Sequence, residues 1–185
     1  MKKIKKNTLI AIITITILTA AFIAALIVFL DYNKENRQIY EEQKISVSVN
    51  GQEKGVFTFE ELEQLCAAEN FKAVYKPSDM PPLEKVYTGI EVKGLLIALG
   101  VDLSAVSGVV FKASDGLQKV YAISDIMADK NVFIANKVNG KPFNKGVKID
   151  AYKLDAEDGG PYVVIKASDL VSQNRVKLLT AIEVI

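Results

Sequence analysis

Residues 8–30 form one apolar run without a charge, a glycine or a proline, and no other feature constrains the chain as much. At about 1.5 Å of rise per residue, a helix of this length crosses a hydrocarbon core of roughly 30 Å. Lys2, Lys3, Lys5 and Lys6 precede the run, and a mixed-charge stretch with Asp31, Lys34, Glu35, Arg37, Glu41 and Glu42 follows it. That asymmetry predicts a cytoplasmic N-terminus and an exported C-terminal part. A cleaved signal peptide is the rival reading. Against it, the run is longer than an ordinary signal core, and the cluster Ala20, Ala21, Ala24 and Ala25 leads into further apolar residues, with no small-x-small site before the charged flank. The expected organisation is a basic cytoplasmic tail over residues 1–7, a transmembrane anchor over 8–30 and a juxtamembrane stalk over 31–44. Residues 45–185 then form one extracytoplasmic domain of a single-pass cell-membrane protein.

Composition removes whole classes of chemistry. The chain has no histidine, so imidazole-based triads, histidine-ligated zinc or haem, and histidine acid–base catalysis are excluded. It has one cysteine, Cys66, which excludes an intrachain disulfide, a Cys-x-x-Cys redox centre and an all-cysteine iron–sulfur cluster. No Ser-x-x-Lys, Gly-x-Gly-x-x-Gly or phosphate-binding loop occurs. Four of the 23 basic residues precede the apolar run, leaving 19 against 22 acidic residues beyond it. A weakly acidic exported part offers no clustered cations for counterion release, so a nucleic-acid partner is not expected.

The exported part has a length of about 140 residues, which suits one domain around one core. Ile45, Val47 and Val49 alternate with serines as a half-buried strand does, and Asn50-Gly51 supplies a tight turn. Thr58 with Glu61 forms a capping box for a helix carrying Phe59, Leu62, Leu65 and Cys66 on one face. Cys66 is accordingly read as a small core residue. A strand over 71–75 precedes an irregular passage enforced by Pro77, Pro81 and Pro82. Residues 91–99 make a short helix with Gly100 at its C-terminal cap. Ser114-Asp115-Gly116 joins two β-rich runs, 109–113 and 117–123, as a hairpin. Ser124-Asp125 starts a further helical turn. Strands are expected over 132–137 and 162–166, and a terminal one within 180–185. The acidic loop Asp155, Glu157, Asp158 lacks the ligand spacing of a calcium loop and is read as a solvated surface loop. Short strands with two or three short helices describe a sheet-rich α+β domain.

Four landmarks now stand in order: Tyr87-Thr88-Gly89-Ile90 before a Leu-Leu helix ending at Gly100, Ser114-Asp115-Gly116, Ile134-Ala135 with Asn139-Gly140, and Gly159-Gly160-Pro161 entering a strand. In that order and spacing they resemble the molybdopterin-binding domain of the sulfite oxidase family of oxidoreductases, over residues 45–185. The resemblance implies a mixed α+β, sheet-rich sulfite oxidase-like fold with a pterin-cofactor cleft among its loops. It places Tyr87, Gly89, Asp115, Gly116, Gly159, Gly160 and Pro161 at that cleft as candidate cofactor-binding positions, with molybdopterin or another planar, pterin-like molecule as ligand. In active members a cysteine thiolate upstream of the first landmark ligates molybdenum. The matching stretch here, residues 73–86, contains no cysteine, and Cys66 is the nearest. Arg37 and Arg175 are the only arginines, so the family's basic cluster for the pterin phosphate has no counterpart.

No catalytic residue and no metal ligand is therefore assigned. Turn chemistry and close packing also account for each glycine and for Asp115 without a ligand. The expected function is a membrane-anchored binding or accessory module, taking a small planar ligand or an envelope protein partner. Two alternatives stay open: a molybdopterin-dependent oxidoreductase component, and a structural interaction domain of an envelope complex.

Overall fold

A computed structural model describes residues 6–76, 81–145 and 157–185, with the side chains of residues 6–11 and 31–41 outside that description. Lys2, Lys3, Lys5, Pro77 and Asp155 lie outside the described residues. Contact density separates the chain into residues 1–38 and residues 39–185.

Among the described residues the first unit contains most of one helix, α1 (Lys6–Glu41), which runs without interruption through the apolar segment and the polar stretch after it. Its portion Ile12–Leu30 is long and apolar enough to cross a membrane, with mean hydropathy 2.8 and none of its surface buried by protein. A signal sequence near an N-terminus has the same length and apolar character.

The second unit is a mixed α+β domain with twelve strands and three short helices among its described residues. In chain order these are β1 (Lys44–Val49), β2 (Gln52–Thr58), α2 (Phe59–Leu65), β3 (Glu69–Tyr75), β4 (Leu83–Glu91), α3 (Val92–Ala98), β5 (Gly108–Ala113), β6 (Gln118–Ala122), α4 (Ile123–Met127), β7 (Val132–Val138), β8 (Lys141–Pro142), β9 (Asn144–Lys145), β10 (Asp158–Gly160), β11 (Val163–Lys166) and β12 (Leu179–Val184). One sheet has the order β2-β1-β12-β5-β6, with β1 and β12 parallel and the other neighbours antiparallel. The second has the order β11-β7-β4-β3, with β8 also on β7, and β9 and β10 form a small parallel pair.

Local chemistry explains most of these elements. Asn50 and Gly51 both take positive φ, the geometry that a two-residue hairpin turn demands. At α2, Thr58 Oγ1 accepts from the Glu61 amide while the Glu61 carboxylate accepts from the Thr58 amide, closing the expected capping box. Gly100 follows α3 with φ +74. At the β5–β6 turn, Asp115 Oδ1 accepts from the Leu117 amide at 3.0 Å and Gly116 takes φ +90.

The main core lies between the two sheets. Ile45, Val47, Phe111 and Ile182 from the first sheet meet Ile90, Ile134 and Val164 from the second, with Phe59, Leu62, Leu95, Leu96 and Ile126 from the helices. Residues in the alternate register of the second sheet (Phe71, Tyr87, Phe133, Ala135, Val163 and Ile165) form a separate cluster on its opposite face, with Phe143. Successive side chains point to opposite faces of a strand. Burial on both faces therefore explains why residues 132–135 and 163–165 read as unbroken apolar runs.

Two local expectations differ from the structure. Leu65 is 42% exposed, off the buried face that holds Phe59 and Leu62. Cys66 is the C-cap of α2, with extended backbone, and is only half-buried. At about 100° per residue Leu65 lies roughly 120° round the helix from Phe59, and Cys66 falls just past its last residue.

Candidate functional site

Strand alternation places Lys85 and Tyr87 of β4 on the face that also carries Phe71, Ala73 and Tyr75 of β3. The register sets Phe71 opposite Tyr87 and Ala73 opposite Lys85. Tyr87 is wholly buried, and its ring stacks with Phe71 at 5.6 Å and with Phe143 at 6.2 Å between centroids. Its hydroxyl donates to Glu157 Oε2 at 2.8 Å and accepts from Arg175 Nη1 at 2.9 Å.

Arg175 and Glu157 complete a buried nest. Arg175 Nη1 also donates to Glu157 Oε1, and Nη2 donates to the Val74 carbonyl at 3.0 Å. The guanidinium lies 4.7 Å from the Tyr87 ring centroid and 5.4 Å from that of Tyr75. Lys85 Nζ is 3.7 Å from Glu157 Oε2 and 4.0 Å from the Tyr75 centroid. Both oxygens of one carboxylate are thus met by cations or a hydroxyl inside an aromatic box. Burial opposes the charge on Arg175, but Glu157 and Tyr87 outweigh it and hold the guanidinium's pKa above its ordinary value. Burial, and then the Glu157 charge, push the Tyr87 hydroxyl well above the usual tyrosine range, so it stays protonated.

Neighbouring segments fix both partners. The turn before Arg175 (Ser172–Asn174) is held by the Lys76 amide donating to Ser172 Oγ at 2.7 Å and by the Tyr121 hydroxyl donating to the Asn174 carbonyl at 2.7 Å. On the other side, the Asn144 amide donates to the Glu157 carbonyl and the Leu178 amide to the Gly159 carbonyl. Lys177 Nζ pairs with Asp158 Oδ1 at 2.6 Å.

The seven candidate positions fall into three groups. Tyr87 joins the Gly159-Gly160-Pro161 segment through Glu157, which stands just before it; Gly159, Gly160 and Pro161 are all buried. Asp115 and Gly116 sit in an exposed turn, tied to that segment through Leu178, whose carbonyl accepts from the Ser114 amide. Gly89 lies in the β4–β7 pairing, where an added Cβ would stand 2.6 Å from the Ile134 carbonyl oxygen. At Gly160 it would stand 2.7 Å from Phe143 Cβ. Packing demands glycine at both places.

The reading of Glu157 as part of a solvated loop is corrected, since its carboxylate is buried against Arg175 and Lys85. Sequence reasoning also missed Lys85 and Arg175 as site residues. A signal for Lys85 existed: had residues 83–91 been read as a strand, Lys85 would have shared the face of Tyr87. Nothing local marks Arg175.

The lone thiol is elsewhere. Cys66 packs on the main core, against the opposite face of the second sheet from Tyr87. Its S–H points to the Glu91 carbonyl at 3.9 Å, and a Cβ built on Gly94 would lie 2.9 Å from the sulfur. Burial, with the charges of Glu91 and Glu69, raises the thiol pKa and so disfavours the thiolate. These residues do not fit a molybdenum ligand set at the Tyr87 and Gly159–Pro161 segment, and no metal-binding group of His, Cys, Asp and Glu occurs among the described residues.

No protein-family model matches the chain, and no curated protein does. Among solved structures it is similar to the sulfane dehydrogenase SoxCD from Paracoccus pantotrophus, with a TM-score of 0.57 at 14% identity. The match covers 78% of this chain and 38% of that one. The likeness is one of fold: a mixed α+β domain shared at a coarse level with part of an oxidoreductase.

Proposed function

We propose that residues 45–185 act as an extracytoplasmic binding or accessory module, tethered by residues 8–30, that uses an oxidoreductase-type fold without molybdenum chemistry of its own. The observation that carries this reading is the separation of the only thiol from the buried nest. Cys66 is capped into the helical side of the core, while the region joining Tyr87 to Gly159-Gly160-Pro161 is filled by Glu157 and Arg175. The fold likeness to SoxCD and the order of the four landmarks support the choice of scaffold, and the apolar helix supports the tether.

The test is metal analysis of the full chain recovered from membranes of its native host after alkaline extraction. The expected result is retention in the membrane fraction with neither molybdenum nor tungsten at stoichiometric level. Stoichiometric metal with a bound pterin would establish instead an oxidoreductase component, and release into the supernatant would remove the tether.

A further inference from the structure

The two sheets end in the edge strands β2 and β6, and β11 and β3. Three of these edges are guarded. β2 carries the exposed Glu53 and Lys54, and its register slips against β1 between Val47 and Ser48. β3 is met by Arg175, which donates to the Val74 carbonyl. β11 is met by Val176, which exchanges both backbone bonds with Val164. Charges, bulges and covering segments of these kinds keep a sheet edge from pairing with another chain. Among the described residues β6 has none of them. Its ladder with β5 runs without a slip over Gln118–Ala122. Its one charge, Lys119, turns its Nζ inward to the Gln173 carbonyl at 3.3 Å and Asn174 Oδ1 at 2.9 Å. No described strand pairs with its far side.

The hairpin fixes which backbone groups point outward. The Ala113 amide donates to the Leu117 carbonyl at 2.9 Å, so the bonds between β5 and β6 fall at Leu117, Lys119 and Tyr121. Gln118, Val120 and Ala122 therefore turn their amides to the open side. Val120 is 60% exposed, and Leu117, Met127, Leu170 and Val171 are also exposed. Met127 belongs to α4, which packs on β6, and Val171 precedes the Ser172–Asn174 turn that Lys119 and Tyr121 hold. Exposed apolar side chains grouped along an open edge mark an association surface.

We propose that β6 is the interface between two copies of this chain, joined antiparallel about a two-fold axis at Val120. The pairing sets Val120 against Val120 of the copy, each amide donating to the other's carbonyl, and Gln118 against the copy's Ala122. Lys119 then stands opposite the copy's Tyr121, so no like charges meet. A centre at Lys119 would oppose two lysines and would present groups already spent on β5. The apolar surround is the same on both sides of the axis, so each patch covers one of its own kind. This surface is separate from the buried nest and goes beyond the accessory-module reading.

The test is disulfide trapping of the full chain in intact cells of its native host, in a Cys66→Ser background, with copper phenanthroline as oxidant. Opposed Cα atoms at Val120 would lie about 5.5 Å apart, within disulfide reach, and those at Gln118 roughly 14 Å apart, beyond it. Val120→Cys is expected to give a covalent homodimer, as is the double variant Gln118→Cys/Ala122→Cys. Gln118→Cys alone, and Gln52→Cys on the opposite edge of the sheet, are expected to stay monomeric. Val120 is exposed, so its replacement leaves the core intact.

Linkage at Val120→Cys no greater than at Gln52→Cys overturns the proposal. Equal linkage at Val120→Cys and at Gln118→Cys alone also overturns it, since that reports collision without a register. A disulfide from Val120→Cys to a different protein overturns it in favour of a foreign strand on this edge.

Discussion

Removing one member of the Glu157–Arg175 pair leaves the other charged and out of water. Coulomb attraction between buried ions barely offsets their desolvation, so the pair as a whole adds little, while breaking it is costly. Glu157→Gln, which leaves Arg175 and Lys85 buried without their carboxylate, should destabilise the fold by about 3–5 kcal/mol, and Arg175→Met, after which Lys85 still faces Glu157, should cost less. The double replacement Glu157→Gln/Arg175→Met should cost less than the sum of the two, with Lys85 still buried beside the site. Tyr87→Phe removes one donor and one acceptor from the nest and should cost about 1–3 kcal/mol. Urea unfolding midpoints of the four variants check this, and additive single effects would mean that the charges do not interact as the geometry requires.

At the scale of elements, the tightest constraint is the approach of β4 to β7 at Gly89. A methyl group there meets backbone, the Ile134 carbonyl oxygen at 2.6 Å and Ala135 Cα at 2.8 Å, and neither can rotate away. Gly89→Ala should cost about 1–3 kcal/mol through overpacking. An added Cβ at Gly116 meets nothing within 4 Å, so Gly116→Ala pays only for its φ of +90. It should cost about 1–2 kcal/mol. Thermal unfolding of both variants checks the values, and proteolysis near the β5–β6 turn should increase only for the second. The contrast also marks what was legible in the chain. Elements bounded by local chemistry (the Asn50-Gly51 and Asp115-Gly116 turns, the Thr58–Glu61 box, Gly100 after α3) were readable because the deciding atoms are near neighbours in sequence. β4 was not, since prolines before it and Lys85 within it interrupt the apolar pattern. Lys85 belongs on a buried face only because Glu157, some seventy positions later, meets it there. Charges that satisfy one another across such distances leave no local trace.

At the scale of the whole molecule, alkaline pH should find three weak points at once. Burial raises the hydroxyl pKa of Tyr87, Tyr121 and Tyr162, the last to about 12. Above the ordinary tyrosine value of roughly 10, an unfolded chain releases protons that the folded one keeps. Stability from these groups is therefore complete below that pH and falls as pH rises through it. Tyrosinate absorbance should show Tyr87, Tyr121 and Tyr162 ionising only as the fold is lost; their titration within an intact fold would contradict the burial. Topology was the least legible level. The alternation of residues 180–185 announced a strand, but not that it lies between β1 and β5. That placement has a temporal consequence. β12, the central strand of the first sheet, follows that sheet's other strands in the chain, and β1, its parallel neighbour, precedes them. Until β12 has been made, Val47 and Phe111 have no Ile182 between them, and the first sheet lacks its middle strand during synthesis.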